Sequence, residues 1–254
     1  MSSLKGCLSK FVGIFLFVTL VGVLSSSVQA QVTNLSSGGS VNFSNLVGAT
    51  GWTGLSVMIG DKLFGNFGFQ FVDQDMNAGD QLVPADLVLS ALSNQVGFGV
   101  SIQLPLASQG PVLKDLKLQF TAQVTNSNDL ISDLHLDFTG SATGYGVAQV
   151  SESVFTNGFG TGLLTSLALS QTSAGYNPSS GQTNVTFVPF QSKIWIQKDI
   201  FVDGNLSDTP DGNQPFDLAS ITIIDQTFSQ IPEPGTMALL GAGMAGLLIV
   251  RRRK

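Results

Sequence analysis

Leu116-Lys117-Leu118-Gln119-Phe120-Thr121-Ala122-Gln123-Val124 alternates apolar and polar residues without a break. A period of two puts every second side chain on one face, so this stretch reads as a β-strand with one side on a core and one in water. The same alternation recurs outward along the chain. Phe67, Phe69 and Phe71 alternate with Gly68 and Gln70. Val96, Phe98, Val100 and Ile102 alternate with Gly97, Gly99 and Ser101, and Leu134, Leu136 and Phe138 with His135 and Asp137. Further strands are expected over 41–47, 55–59, 87–92, 147–155, 163–169, 183–188, 194–202 and 220–228. Turn residues punctuate them at Asn77–Asp80, Gln109–Pro111, Asn126–Asp129, Asn177–Gly181 and Pro210–Asn213. About a dozen short strands with no helical periodicity predict an all-β fold, a single antiparallel sandwich or jelly roll.

Composition narrows the chemistry. The 254 residues hold 11 Lys+Arg, 17 Asp+Glu, one His and one Cys, and only 11% are charged, against about 25% in ordinary soluble domains. A disulfide framework, a Cys/His zinc site and a basic nucleic-acid surface are all excluded. Between residues 31 and 231 there are five Lys, no Arg and sixteen acids, a net charge of −11. Such a surface repels nucleic acid and anionic polymers, so a polymer partner is expected to be neutral or bridged by cations.

The two ends read as addresses. Lys5 and Lys10 precede the apolar run 11–24, and Val28-Gln29-Ala30 sets small or modest residues before Gln31. This is the order of a secretory signal peptide cleaved between Ala30 and Gln31, and it implies the Sec translocon and signal peptidase as partners. The fourteen-residue run is about 21 Å long as a helix, too short for a permanent span. Cleavage removes Cys7, the only thiol. At the other end Pro232-Glu233-Pro234 precedes the small-residue apolar run 236–250 and the cluster Arg251-Arg252-Arg253-Lys254. The basic cluster is expected to stay cytoplasmic, as are Lys5 and Lys10, which leaves the segment between them outside. The tail is read as a short, transient transmembrane helix. Gly241-Ala242-Gly243-Met244-Ala245-Gly246 fits a dinucleotide fingerprint by spacing, but no acidic residue follows it. Its glycines suit close helix packing in lipid instead.

Pro232, Glu233, Pro234, the apolar run and Arg251 to Lys254 together resemble the PEP-CTERM sorting signal of bacterial surface proteins. That resemblance implies recognition near Pro-Glu-Pro by an exosortase-type membrane protease and a final place at the cell surface or in the extracellular matrix. It divides the chain into a signal peptide (1–30), a β-sandwich body (31–231) and a sorting signal (232–254). A second resemblance rests on Gly60-Asp61-Lys62-Leu63-Phe64, Ser151-Glu152-Ser153-Val154-Phe155, Lys198-Asp199-Ile200 and Asp225-Gln226-Thr227-Phe228-Ser229-Gln230. These are similar to recurring marks of one uncharacterised group of PEP-CTERM proteins, and they imply no activity.

Catalytic chemistry finds little purchase, and no catalytic residue is assigned. His135 falls on the polar face of its strand, beside Asp133 and Asp137, and no G-x-S-x-G elbow accompanies it. Glu152 is the only Glu of the body; in the run Val150, Glu152, Val154 it points inward with a raised pKa if the register holds. Asp73, Asp75 and Asn77 begin like an oxygen-ligand loop, but Ala78 and Pro84 stand where an EF-hand needs Gly and Glu. Asp208 and Asp211 form a second acidic turn. A weak Ca2+ site is the most these acids suggest, and no other cofactor is indicated. Ile194-Trp195-Ile196 turns Trp195 away from the core side, beside Lys193 and Gln197, where an exposed ring would stack on sugar. The expected role is therefore a structural or adhesive component of a cell surface or exopolysaccharide (biofilm) matrix. A carbohydrate-binding module using Trp195 is the alternative, and a glycan-acting hydrolase centred on Glu152 a third reading.

Overall fold

The structure, a computed structural model, describes residues 31–47, 55–73, 81–94, 97–110, 112–172, 175–177, 183–204 and 217–232. Among these, fourteen strands carry the fold: β1 Val32–Leu35, β2 Ser40–Asn42, β3 Ser56–Ile59, β4 Lys62–Asp73, β5 Val88–Ser93, β6 Phe98–Gln109, β7 Leu113–Val124, β8 Asp129–Thr143, β9 Val147–Phe155, β10 Leu163–Thr172, β11 Gly175–Asn177, β12 Asn184–Gln191, β13 Lys193–Asp203 and β14 Leu218–Pro232. They form two sheets. One runs β1-β3-β4-β7-β13-β9-β10-β11 and the other β12-β8-β14-β6-β5-β2.

Four antiparallel pairs are nested inside one another: β6 with β14, β7 with β13, β8 with β12 and β9 with β10. The chain from β6 to β14 is thus one long hairpin whose two arms cross together from sheet to sheet. The resulting orders β6-β14-β8-β12 and β7-β13-β9-β10 are those of an eight-stranded jelly roll. The remaining strands lengthen its sheets at their edges, and β1 pairs with β3 in parallel, the one non-antiparallel pairing among the described residues.

The alternating faces meet in the middle. Leu116, Leu118, Phe120 and Ala122 of β7 and Ile194, Ile196, Ile200 and Val202 of β13 are fully buried against Leu134 and Leu136 of β8 and Ile221, Ile224 and Phe228 of β14. A chain of rings crosses the sandwich: Phe43 meets Phe67 edge-on at 5.6 Å, Phe67 stacks on Phe120 at 6.0 Å, and Phe64 reaches Phe228 of the opposite sheet at 5.9 Å. Each such pair adds about 0.5–1.5 kcal/mol beyond the area it buries.

The strand expected over 41–47 is cut short. β2 ends at Asn42, whose side chain accepts from the Ser44 N–H at 2.9 Å and opens a single-turn 3-10 helix, Phe43–Asn45. A short amide that bonds the nearby backbone competes with a ladder, and the turn tucks Phe43, Leu46 and Val47 into the core. No helix among the described residues is long and apolar enough to cross a membrane. The runs 11–24 and 236–250 lie outside the described residues.

Candidate functional site

Two sets of polar residues stand out, one on each side of β13. The outward set lies on the open face of the eight-stranded sheet. Trp195 stands in register with Thr121 and Phe155, Gln197 with Gln119 and Ser153, Asp199 with Lys117 and Ser151, and Phe201 with Asp115 and Gln149. Lys193 Nζ lies 4.9 Å from the centre of the half-buried Trp195 ring. Gln119 donates to Gln197 at 3.1 Å. Lys117 sits 3.9 Å from Asp115. Partial burial raises the Asp115 carboxyl to about 6, helped by the hydrogen bond and negative charge of Asp199 and opposed by Lys117. The hydrogen bond sets Asp115 and Asp199 side by side, closer than the roughly 5 Å or more that separates a glycosidase pair. What this face offers is flat hydrogen bonding by neutral amides beside a stacking ring.

The inward set is buried. In the run Ile194, Ile196, Lys198, Ile200, Val202 the lysine takes an inward position, and its register partner on β9 is Glu152, itself between Val150 and Val154. Both side chains are fully buried and ion-paired. Lys198 also donates to Gln226 Oε1, which reaches in from β14 of the opposite sheet at 2.5 Å. Gln226 Nε2 donates to the His135 carbonyl at 3.1 Å. Desolvation pushes Glu152 above the usual carboxylate range and Lys198 below the usual ammonium range, and their mutual attraction opposes both shifts. A second buried lysine, Lys62, pairs with Asp61 at 2.8 Å and donates to Gln230 at 3.2 Å.

Glu152 points inward, as the alternation implied, but no polymer can reach it, so it is not placed to act on a glycan. The sequence reading found it no partner and missed Lys198. The signal was present all the same, since Lys198 occupies a core position of a perfect period-two run. His135 lies half-buried on the outer side of β8, with its Nδ1 on Asn184. Asp73 ends β4 with its side chain 3.9 Å from Lys114, so a cation already stands beside the first residue of the calcium-like loop. Asp75, Asn77, Asp208 and Asp211 lie outside the described residues, as do Ala30, Glu233, Pro234 and Arg251 to Lys254. Among the described residues no three His, Cys, Asp or Glu side chains cluster as a metal site. Gln31 precedes β1, and Pro232 is the last residue of β14.

Residues 230–254 match the PEP-CTERM protein-sorting motif. No characterised protein sequence matches the chain. Two solved structures show a distant likeness to part of the chain. One is an arabinose-bound α-L-arabinofuranosidase, with 12% identity and a TM-score of 0.25 over 65% of this chain and 23% of that one. The other is a carbohydrate-binding module of the β-sandwich superfamily, with 10% identity and a TM-score of 0.26 over 65% of this chain and 56% of that one. The chain therefore spans less than two thirds of either, and at these values the likeness says nothing about activity.

Proposed function

We infer that the protein is exported and processed by an exosortase, as its sorting motif implies. We propose that this protein is a structural or adhesive component of the cell surface or of a polysaccharide matrix around it, led to export by a cleaved signal peptide over 1–30. The observation that carries the reading is the junction of motif and fold: the motif begins at Gln230, inside β14, the central strand of a jelly-roll sheet. The address is thus built into an acidic sandwich body that holds one His and no Cys after residue 30. Fractionation of native cells with and without the exosortase tests it. The expected result is a body outside the inner membrane and associated with matrix only when the protease is present. Retention of the whole chain in the inner membrane under both conditions overturns it.

A second reading is favoured by Trp195. A ring on an open sheet face, beside Gln119 and Gln197, has the stacking surface and neutral donors that a sugar uses, and the acidic body favours a neutral glycan. Under that reading, Trp195→Ala lowers retention on purified matrix polysaccharide at least about tenfold, since one lost hot-spot ring is worth about 2 kcal/mol or more. Unchanged retention removes the carbohydrate-module reading and leaves the structural one.

A further inference from the structure

We propose that Lys198 and Gln226 become joined by a self-catalysed amide bond, Lys198 Nζ to Gln226 Cδ, with Glu152 relaying the protons, so that the two sheets are covalently stapled through the core.

The three side chains come from three strands and two sheets and converge where only apolar groups otherwise lie. Lys198 and Gln226 are 0% exposed and Glu152 is 1% exposed. Ile196, Ile200, Val150, Val154, Ile224 and Phe228 flank them along their own strands, all fully buried. Lys198 Nζ stands 2.5 Å from Gln226 Oε1, which sets it beside the carbon bonded to that oxygen. The His135 carbonyl holds the amide nitrogen at 3.1 Å on the far side. Holding nucleophile and electrophile in this way substitutes for a high effective concentration. Burial favours the free amine on Lys198 and the protonated acid on Glu152, the forms that attack and that polarise a carbonyl.

The step balances. Within the ion pair the ammonium proton passes to Glu152, leaving an amine whose lone pair attacks Gln226 Cδ while the acid proton stabilises the developing oxyanion. The tetrahedral centre then collapses. The Cδ–Nε2 bond breaks, Glu152 passes one proton from Nζ to Nε2, and ammonia leaves. The product is a secondary amide, Glu152 keeps as a neutral acid the proton it took from the ammonium, and neither oxidant nor reductant takes part. Burial of all three side chains keeps bulk water from the product. Condensation of Lys198 with Glu152 itself is the competing reaction, but it would use up the one acid in contact with the amine.

The staple would sit where it bears load. Gln226 lies on β14, the strand that runs straight into the sorting motif, so a pull on the tail is transmitted to it. The body has no cysteine with which to make a disulfide.

The test is a peptide map of the purified, folded full-length protein. After denaturation, a protease that cuts before Asp separates Lys198 from Gln226, because Asp199, Asp203 and Asp217 lie between them. The expected product is the peptide ending at Lys198 joined to the one beginning at Asp225. Its mass falls below the sum of the two by one ammonia, about 17 Da. Recovery of both peptides unjoined at full mass overturns the proposal. A loss of one water confined to the peptide that carries both Glu152 and Lys198 overturns the assignment to Gln226. In Glu152→Gln, with folding checked by circular dichroism, the joined peptide should fall at least about a hundredfold; its persistence overturns the relay role. The map of the unmutated protein decides the bond even if that variant does not fold.

Discussion

Gly60 shows how much one position can hold. It opens the two-residue turn that joins Ile59 of β3 to Lys62 of β4, at φ +59°, a left-handed conformation that glycine adopts without penalty. A Cβ placed there would lie 2.5 Å from the Phe98 ring, and Lys62 Nζ lies 5.7 Å from the same ring. Gly110 also has a positive φ, +68°, but a Cβ there meets nothing within 4 Å. Gly110→Ala should therefore cost only the backbone term, about 1–2 kcal/mol. Gly60→Ala adds the displacement of a packed ring, about 1–3 kcal/mol more. Urea midpoints of the two variants check the order, and equal losses would mean that Phe98 moves aside freely.

At the scale of the strand, bulges decide which residues face the core. In β4 the register shifts between Gly65 and Gly68. Lys62 and Phe64 point inward before the shift and Phe67 and Phe69 after it, although strict alternation would have turned one set outward. In β14 the shift between Ile221 and Ile223 turns Ile224, Gln226 and Phe228 inward; without it Asp225 and Thr227 would have faced the core. On the outer face, β7 and β13 bring Asp115 against Asp199. The Asp115 carboxyl is raised from 3.8 to about 6, so the fold favours its protonated form. Its contribution is full below the unfolded value and is lost as pH rises through about 6. The protein should weaken between about pH 4 and 6, and Asp115→Asn should flatten that part of the profile and raise the midpoint at pH 7. Parallel urea titrations of the two proteins at pH 4, 5, 6 and 7 test this; a variant that keeps the slope would place its origin elsewhere.

At the scale of the whole molecule, the nested hairpin makes β14 the last strand to arrive and a central one, held between β8 and β6. Pairing of β6 with β14 joins residues more than a hundred positions apart, a connectivity that slows folding. The second sheet is complete only when residue 232 has joined it, and Gln230, Ile231 and Pro232 remain in register with Ile131, Leu130 and Asp129. Cleavage before Pro232 would have to fray a central strand. The released body should therefore end at Pro232 or later, as intact mass will show. A body ending before Gln230 would mean that the strand end opens for the protease.

The sequence by itself determined the fold class and the address. Period-two alternation in stretches such as Leu116 to Val124 is a local property of the strand, and the Pro-Glu-Pro tail is read without reference to the rest of the chain. It also held the charges of the core in plain view, since Glu152 and Lys198 both occupy inward positions of alternating runs. Only the tertiary structure decided that they meet. Register between β9 and β13, the bulge that turns Gln226 inward and the packing of one sheet on the other are all non-local, and no short-range pattern encodes them. The same holds for the parallel pairing of β1 with β3 and for the nesting that makes the sandwich a jelly roll. Alternation says which face of a strand is buried, whereas partners are chosen by the packing energy of the completed core.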